Sequence, residues 1–417
     1  MREAGRAAGL ALGLLLMVCA PRSLRSQPPA DQGHLSRQIP ALLEERGFEG
    51  VAALQDSGDM FVMLENRHYR DEQRALREAA ALILPTLGTA RGLVLVPLHR
   101  GLPIAQVRFA PCGEPGSAGG KIAGALDLDV SGLPPRLRST GARRPRLVIH
   151  PWIEARFGIY EEIAWTRTGI APELQLPLRP GMLLSAQVLA VLQDELYPGE
   201  AMLRPVRVTL NQTVRLHRNL LASATAGTFT GNRYGGDLEV RALDRRGRWS
   251  AGVELGLTGE SFFGRSKWWF NAVDSPLALA DLEARLRPYS LVLRATGGVF
   301  TDGDTGMRVD VLREFGEFEI GWYVLRTTAG SNGGFTIRIP LPPPTHARIA
   351  GLVVQPADAF RWEYRYRSLT RAGRRYDTGN RLGEFPRRLD AAAFVGADAE
   401  SGSICPEPSH RADVPGS

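Results

Sequence analysis

Lysine is nearly missing from this 417-residue chain. Only Lys121 and Lys267 occur, so the net charge of +7 is carried almost wholly by arginine. Such a bias, with much alanine, often reflects a GC-rich coding sequence. No compact basic stripe with interleaved aromatics accompanies it, so nucleic acid is not expected as a partner. Cysteine is scarce too. Cys19, Cys112 and Cys405 form no CxxC pair and no His/Cys cluster at metal spacing, so neither a metal nor a cofactor is expected. Long apolar runs are the third lack. Beyond the first residues no stretch reaches about 18 apolar residues, which excludes a helical membrane span. Motifs for nucleophiles and metalloproteases (GxSxG, HExxH) are absent as well, and the chain is not read as an enzyme. His217 and Ser223 could form a Ser/His pair near a strand end, but a turn or interfacial role for His217 is the stronger reading.

What is there begins with a targeting signal. Arg2 and Arg6 precede the apolar run Leu10–Val18, and small and polar residues follow, so residues 1–26 read as a secretory signal peptide. Cys19 loosely fits a lipoprotein signal, although Val18 stands where a small residue is usual. With the signal removed, Cys112 and Cys405 are either a disulfide of an oxidising periplasm or two unrelated thiols.

Residues 35–110 predict a small α/β unit of order αββαββ. Leu35, Ile39, Leu42 and Leu43 have helical spacing that stops at Gly47. A hairpin turns at Ser57-Gly58-Asp59. A second helix starts after Asp71 and is expected to break at Pro85, and a second hairpin turns at Arg100-Gly101. Residues 111–143, rich in Gly, Pro, Ser and Arg, read mainly as linker, with a short strand in "IAGALDLDVSG" as an option.

From 144 to 385 the pattern becomes strict alternation over segments of about ten residues. Val206, Val208, Leu210 and Val214 alternate with Arg207, Thr209, Asn211 and Thr213. Phe318, Ile320, Trp322 and Val324 alternate with Glu319, Gly321 and Tyr323. Long strands, short turns, and aromatic clusters such as Trp268-Trp269-Phe270 near segment ends favour a transmembrane antiparallel β-barrel of about twelve strands over a soluble sandwich. Phe318, Ile320, Trp322 and Val324 would then face lipid. The opposite faces carry Arg207, Arg215, Arg241, Arg294, Arg308, Arg338, Arg361 and Arg365, together with Glu and Asp. These arginines are candidate lumen contacts for an acidic glycan. The same set also reads as an Arg–Glu network that fills and stiffens a small barrel, and that is the favoured reading. Asp302 and Asp304 belong to a polar hairpin turn. Residues 386–417 form a polar tail.

"ENRHYRDEQRAL" in the first unit, "GGVFTDGDTGMRVDVLREFGEFEIGWYVLRTTA" (Gly297–Ala329) and "GGFTIRIPLPPP" (Gly333–Pro344) resemble the YjbH/GfcD-like family of exopolysaccharide and capsule outer-membrane proteins. The resemblance covers roughly residues 35–110 and 145–345. It implies a bacterial outer-membrane β-barrel taking part in export or assembly of an extracellular polysaccharide, with outer-membrane lipid, the polysaccharide and periplasmic secretion proteins as partners. The first unit would be a periplasmic docking module. A general outer-membrane porin and a soluble periplasmic glycan-binding β-sandwich are the alternatives.

Overall fold

A computed structural model of the chain describes residues 34–87, 92–111, 122–139, 143–159, 162–197, 199–349, 351–366, 371–384 and 388–389. The expected signal peptide, all three cysteines and nearly all of the polar tail lie outside the described residues. Among the described residues the protein is mainly β, with two α-helices and two large, mostly antiparallel sheets.

The first sheet is built around helices α1 (His34–Glu45) and α2 (Glu72–Leu87). Its strands are β1 (Phe48–Asp56), β2 (Asp59–Asn66), β3 (Leu93–His99), β4 (Leu102–Pro103), β5 (Gln106–Pro111) and β6 (Ile122–Asp127). The β1–β2 turn has positive φ at both Ser57 and Gly58, the twist that a two-residue hairpin requires. Asp71 starts α2 by accepting from the Gln73 amide at 2.9 Å. Pro85 does not end α2 as the sequence suggested. It falls in the last turn, where few backbone bonds remain to lose, and the helix runs on to Leu87. Ile39 and Leu43 of α1 and Leu76, Ala80 and Ile83 of α2 are fully buried against Met60, Val62 and Leu95. The sheet order is β1-β2-β3-β5-β6, with β2 and β3 parallel across the α2 crossover. Strand β6 falls within the stretch read mainly as linker.

The second sheet holds sixteen strands. In chain order they are β7 (Arg146–Ile159), β8 (Glu162–Arg179), β9 (Met182–Asp194), β10 (Leu203–His217), β11 (Leu220–Phe229), β12 (Arg233–Leu243), β13 (Trp249–Phe263) and β14 (Trp268–Phe270). Then come β15 (Ser275–Leu286), β16 (Leu291–Val299), β17 (Thr305–Phe315), β18 (Phe318–Thr327), β19 (Gly330–Pro340), β20 (Ala347–Ile349), β21 (Leu352–Pro356) and β22 (Ala359–Arg365). From β7 to β19 each long strand pairs antiparallel with the next, except that β14 pairs only with the end of β13. The alternation has an unusual sense. Thr209 and Asn211 are buried while their neighbours Val208 and Leu210 are 38% and 39% exposed. Glu254 is buried between Val253 and Leu255, both half exposed, and Trp322 and Val324 are 58% and 65% exposed. One face is polar and covered, and the other is apolar and open.

Among the described residues strand pairing does not close the second sheet into a barrel, and the sheet has sixteen strands rather than the expected twelve or so. Strand β21 pairs with β7 in parallel over Arg146–Ile149, whereas β22, its continuation, pairs with β19. A single kinked stretch thus touches both sheet edges. Beyond Ile149 no ladder joins β7 to β22 among the described residues. Phe157 of β7 instead lies 6.0 Å from Trp362 and 5.8 Å from Tyr364, ring centre to ring centre.

The covered face encloses residues 371–384, which the sequence had assigned to the barrel wall. The last strand ends at Arg365, and the chain then turns inward. The Tyr376 hydroxyl donates to Asp237 Oδ2 at 2.8 Å, and the Leu382 amide to Glu239 Oε2 at 2.9 Å. Arg375 and Arg381 both pair with Glu254, and Asp377 pairs with Arg207 at 3.1 Å. At the entry, the Gly373 amide donates to Asp304 Oδ2 at 2.7 Å. At the exit, Leu382 and Leu389 join the core of the first sheet along with Leu221 and Leu243. The first sheet therefore sits against the end of the second that carries the β8–β9, β10–β11 and β12–β13 turns. Leu128 N bonds Arg245 O at 2.8 Å, Gly181 N bonds Arg100 O at 2.6 Å, and Arg70 Nε donates to Glu317 Oε1 at 2.7 Å.

A side chain at Gly256 would collide with this inner segment, because a Cβ there falls 1.7 Å from the Tyr376 hydroxyl. Gly256→Val is expected to push Tyr376 off Asp237. Loss of that charged hydrogen bond, about 1.5 kcal/mol, should make trypsin cleavage after Arg374, Arg375 and Arg381 roughly tenfold faster, as read by limited proteolysis and mass spectrometry.

Candidate functional site

A cavity of about 440 Å³ opens where the two sheets and the inner segment meet. Glu65, Arg67, His99 and Arg100 form its floor. His150, Glu173, Gln175, Gln187 and Arg207 form one wall, and Asp377, Asn380, Glu384 and Arg361 close it from the other side.

The floor is set by the β3–β4 turn. Arg100 has φ +52 and Gly101 φ +75, and both amides donate to Glu65, at 3.1 Å each. The turn aims Arg100 into the second sheet, where Nη1 donates to Asn211 Oδ1 at 2.9 Å. Glu65 also binds Arg67 at 2.7 Å and Arg143 at 3.2 Å. These donors spare a buried carboxyl group the cost of being left unpaired. His99 is held well below its ordinary value by burial, aided by the surrounding Arg100, Arg388 and Arg67 cations, so it is neutral.

The wall centres on Glu173. It accepts from Ser185 Oγ at 2.6 Å, Arg207 Nη2 at 3.1 Å and Gln175 Nε2 at 3.1 Å, and lies 2.8 Å from His150 Nε2. The side chains alternate along β8–β10, and each of these strands contributes its inward set.

Of the eight arginines singled out in the sequence, the cavity gathers Arg207 and Arg361. Arg207 is shared between Glu173 and Asp377, and Arg361 pairs with Glu384. The others are occupied elsewhere. Arg241 holds Asp281 and Glu239, Arg294 holds Glu283, Arg308 spans Asp310 and Glu363, and Arg365 holds Glu363. Arg308 also stacks over Tyr323, 3.8 Å from the ring centre. Arg215 donates to the backbone oxygens of Pro103 and Ile104, fastening the two sheets, and Arg338 donates to the Glu317 carbonyl. These contacts form a network of ion pairs and hydrogen bonds on the covered face of the second sheet. On β18, Trp322 and Val324 are well exposed, and Phe318 and Ile320 are half-buried.

His217 and Ser223 do not meet. Ser223 pairs with Thr213 across β10–β11, four residues or about 13 Å along the strand from His217, and bonds Asn211. Asp304 binds Thr328 Oγ1, the Ala329 amide and the Gly373 amide, so it anchors a turn to the inner segment. Among the described residues no three His, Cys, Asp or Glu side chains lie together in a way that could hold a metal. Sequence reading missed Glu65, His99, Arg100, His150, Gln187 and Asn380. The signal available was the Arg100-Gly101 turn, read only as a hairpin, and "YDTGN" (Tyr376–Asn380), a polar turn sequence taken as wall.

Beneath the cavity, the Glu72 carboxyl is pushed up to about 7 by burial, against the pull of the Asn66 amide and Arg388. The folded state therefore keeps a proton that the unfolded chain has lost between pH 4.5 and about 7, and this group's contribution to stability falls as pH rises through that window. Glu72→Gln is expected to raise the melting temperature at pH 8, by at most about 3 kcal/mol in stability, and to change little at pH 4. Thermal melts at the two pH values read this directly.

No protein-family model, curated protein or solved structure matches the chain.

Proposed function

We propose that the chain is a bacterial outer-membrane β-barrel protein that takes part in the export or assembly of an exopolysaccharide or capsule. The observation that carries the membrane reading is the inverted burial of the second sheet. Val253, Leu255, Trp322 and Val324 lie open on one face while Thr209, Asn211 and Glu254 are enclosed on the other. In water this arrangement is unfavourable at about 25 cal/mol per Å² of exposed apolar surface, whereas in a bilayer the open face is solvated by acyl chains. The exposed Trp268, Trp269 and Phe270 at a strand end suit a membrane–water interface. The first unit, read as an αββαββ module extended by β6, lies against the end with short turns. The connection that carries β14 lies at the opposite end, whereas 341–358, between β19 and β22, lies beside the first unit. The two-residue β8–β9, β10–β11 and β17–β18 turns at the module's end favour a periplasmic side for it, where it would serve as a docking unit for secretion proteins.

The filled lumen weighs against a general diffusion porin. The inner segment crosses it, held by Asp237, Glu239 and Glu254, and leaves one bounded cavity rather than a wide channel. A soluble sandwich would have to cover the open apolar face, and nothing in the described chain does so. The polysaccharide link comes from the resemblance in the first unit and in Gly297–Pro344.

Fractionation with boiled and unboiled electrophoresis tests the membrane reading. The protein should lie in the outer-membrane fraction and shift in mobility on heating, and recovery as a soluble periplasmic protein would sink it. Val324→Arg should weaken the folded state by roughly 2–4 kcal/mol and visibly reduce the heat-shifted band. Loss of the protein should lower surface polysaccharide. Unchanged polysaccharide would remove the export role and leave the barrel.

A further inference from the structure

The wall around the cavity is interrupted at one place. On β7 the side chains of His150, Trp152 and Glu154 face inward, while Pro151 and Ile153 face outward, Ile153 being 48% exposed. Side chains alternate across a strand, so a cavity behind an intact wall meets only one of these sets. This cavity is lined by all five. Strand β22 repeats the pattern. Phe360, paired with the exposed Ile339, and Arg361, which reaches inward to Glu384, both line it. The cavity therefore reaches the outer surface between β7 and β22, along the stretch where no ladder joins them. Pro151 has no N–H to leave unpaired at such an edge.

The two sides of this opening differ in chemistry. Inside, Gln355 is 4% exposed and its Oε1 has no hydrogen-bond partner among the described residues. The Nε atoms of Arg146 and Arg207, on the same cavity, likewise have none. Unmet donors beside an unmet acceptor suit hydroxyl groups, which both donate and accept. Six carboxylates, Glu65, Glu154, Glu173, Asp358, Asp377 and Glu384, nearly offset the seven arginines that line the cavity, so a strongly anionic head is disfavoured. Outside, the lips are apolar: Ile153, Phe157 and Trp362.

We propose that the β7–β22 seam is a lateral binding site for a glycolipid. The saccharide head occupies the cavity, and the acyl chain passes between Ile153 and Phe360 to lie against Phe157 and Trp362. The proposal rests on the membrane-spanning reading and narrows the polysaccharide role to a lipid-attached sugar.

The test places the photocrosslinking residue benzoylphenylalanine at Ile153 or at Val253, an equally exposed position on β13 far from the seam. The whole chain is reconstituted in phosphatidylethanolamine vesicles doped with a purified neutral diglycosyl diacylglycerol, and adducts are weighed by mass spectrometry. The Ile153 adducts should be enriched about tenfold in the glycolipid over those at Val253, equivalent to about 1.4 kcal/mol of head-group contact. Gln355→Leu, checked for an intact heat-modifiable barrel, should abolish the enrichment. Equal adduct ratios at both positions would overturn the seam site while leaving the membrane reading intact. Enrichment indifferent to Gln355→Leu would overturn the placement of the head in the cavity. Lipid adducts at neither position would overturn both the site and the membrane reading.

Discussion

Charge enclosed within a sheet must find a partner, and the architecture is organised around that requirement. The covered face of the second sheet carries Asp237, Glu239, Glu254, Asp310, Arg207 and Arg241, each nearly out of reach of solvent. Removing one partner from a buried pair typically costs about 3–5 kcal/mol, because the other charge is left stranded. Neighbouring strands satisfy part of the demand, as where Arg241 bonds Asp281 across β13. Glu254 is satisfied from elsewhere, by Arg375 and Arg381 of the inner segment. Asp237 likewise depends on Tyr376. The inner segment is therefore not an accessory laid against a finished sheet. It supplies counter-charges that the wall lacks.

The same logic joins the two sheets. Arg100 and Arg215 point in opposite directions across the junction, one into the second sheet at Asn211 and one out to the carbonyls of Pro103 and Ile104. Leu382 and Leu389 carry the inner segment into the core of the first sheet. A displacement of either sheet strands charge in the other, so the cavity at the junction has rigid walls except at the seam.

Much of the wall was legible because a strand has a period of two and the residues obey it. Val208, Leu210, Trp322 and Val324 lie on one side and Thr209, Asn211 and Tyr323 on the other, as the alternation implied. The Ser57-Gly58 and Arg100-Gly101 turns were legible for the same local reason. What the sequence hid is long-range. Residues 371–384 have no periodicity, and their conformation is dictated by partners about 70 to 170 positions away, such as Asp304 and Arg207. The parallel pairing of β21 with β7 joins residues about 200 apart and leaves no local mark. The arginine stripe was visible, yet which arginines face open space depends on where the carboxylates of other strands fall. The cavity therefore gathers only two of the eight.

The inner segment also imposes an order in time. It follows β22 in the chain and is the last part of the described fold to be synthesised, yet it lies innermost. Until it arrives, Asp237 and Glu254 face an empty, wet interior and lack their partners. The wall therefore reaches its full stability only in the closing step, and a chain cut short after Arg365 would possess every strand but not the finished protein.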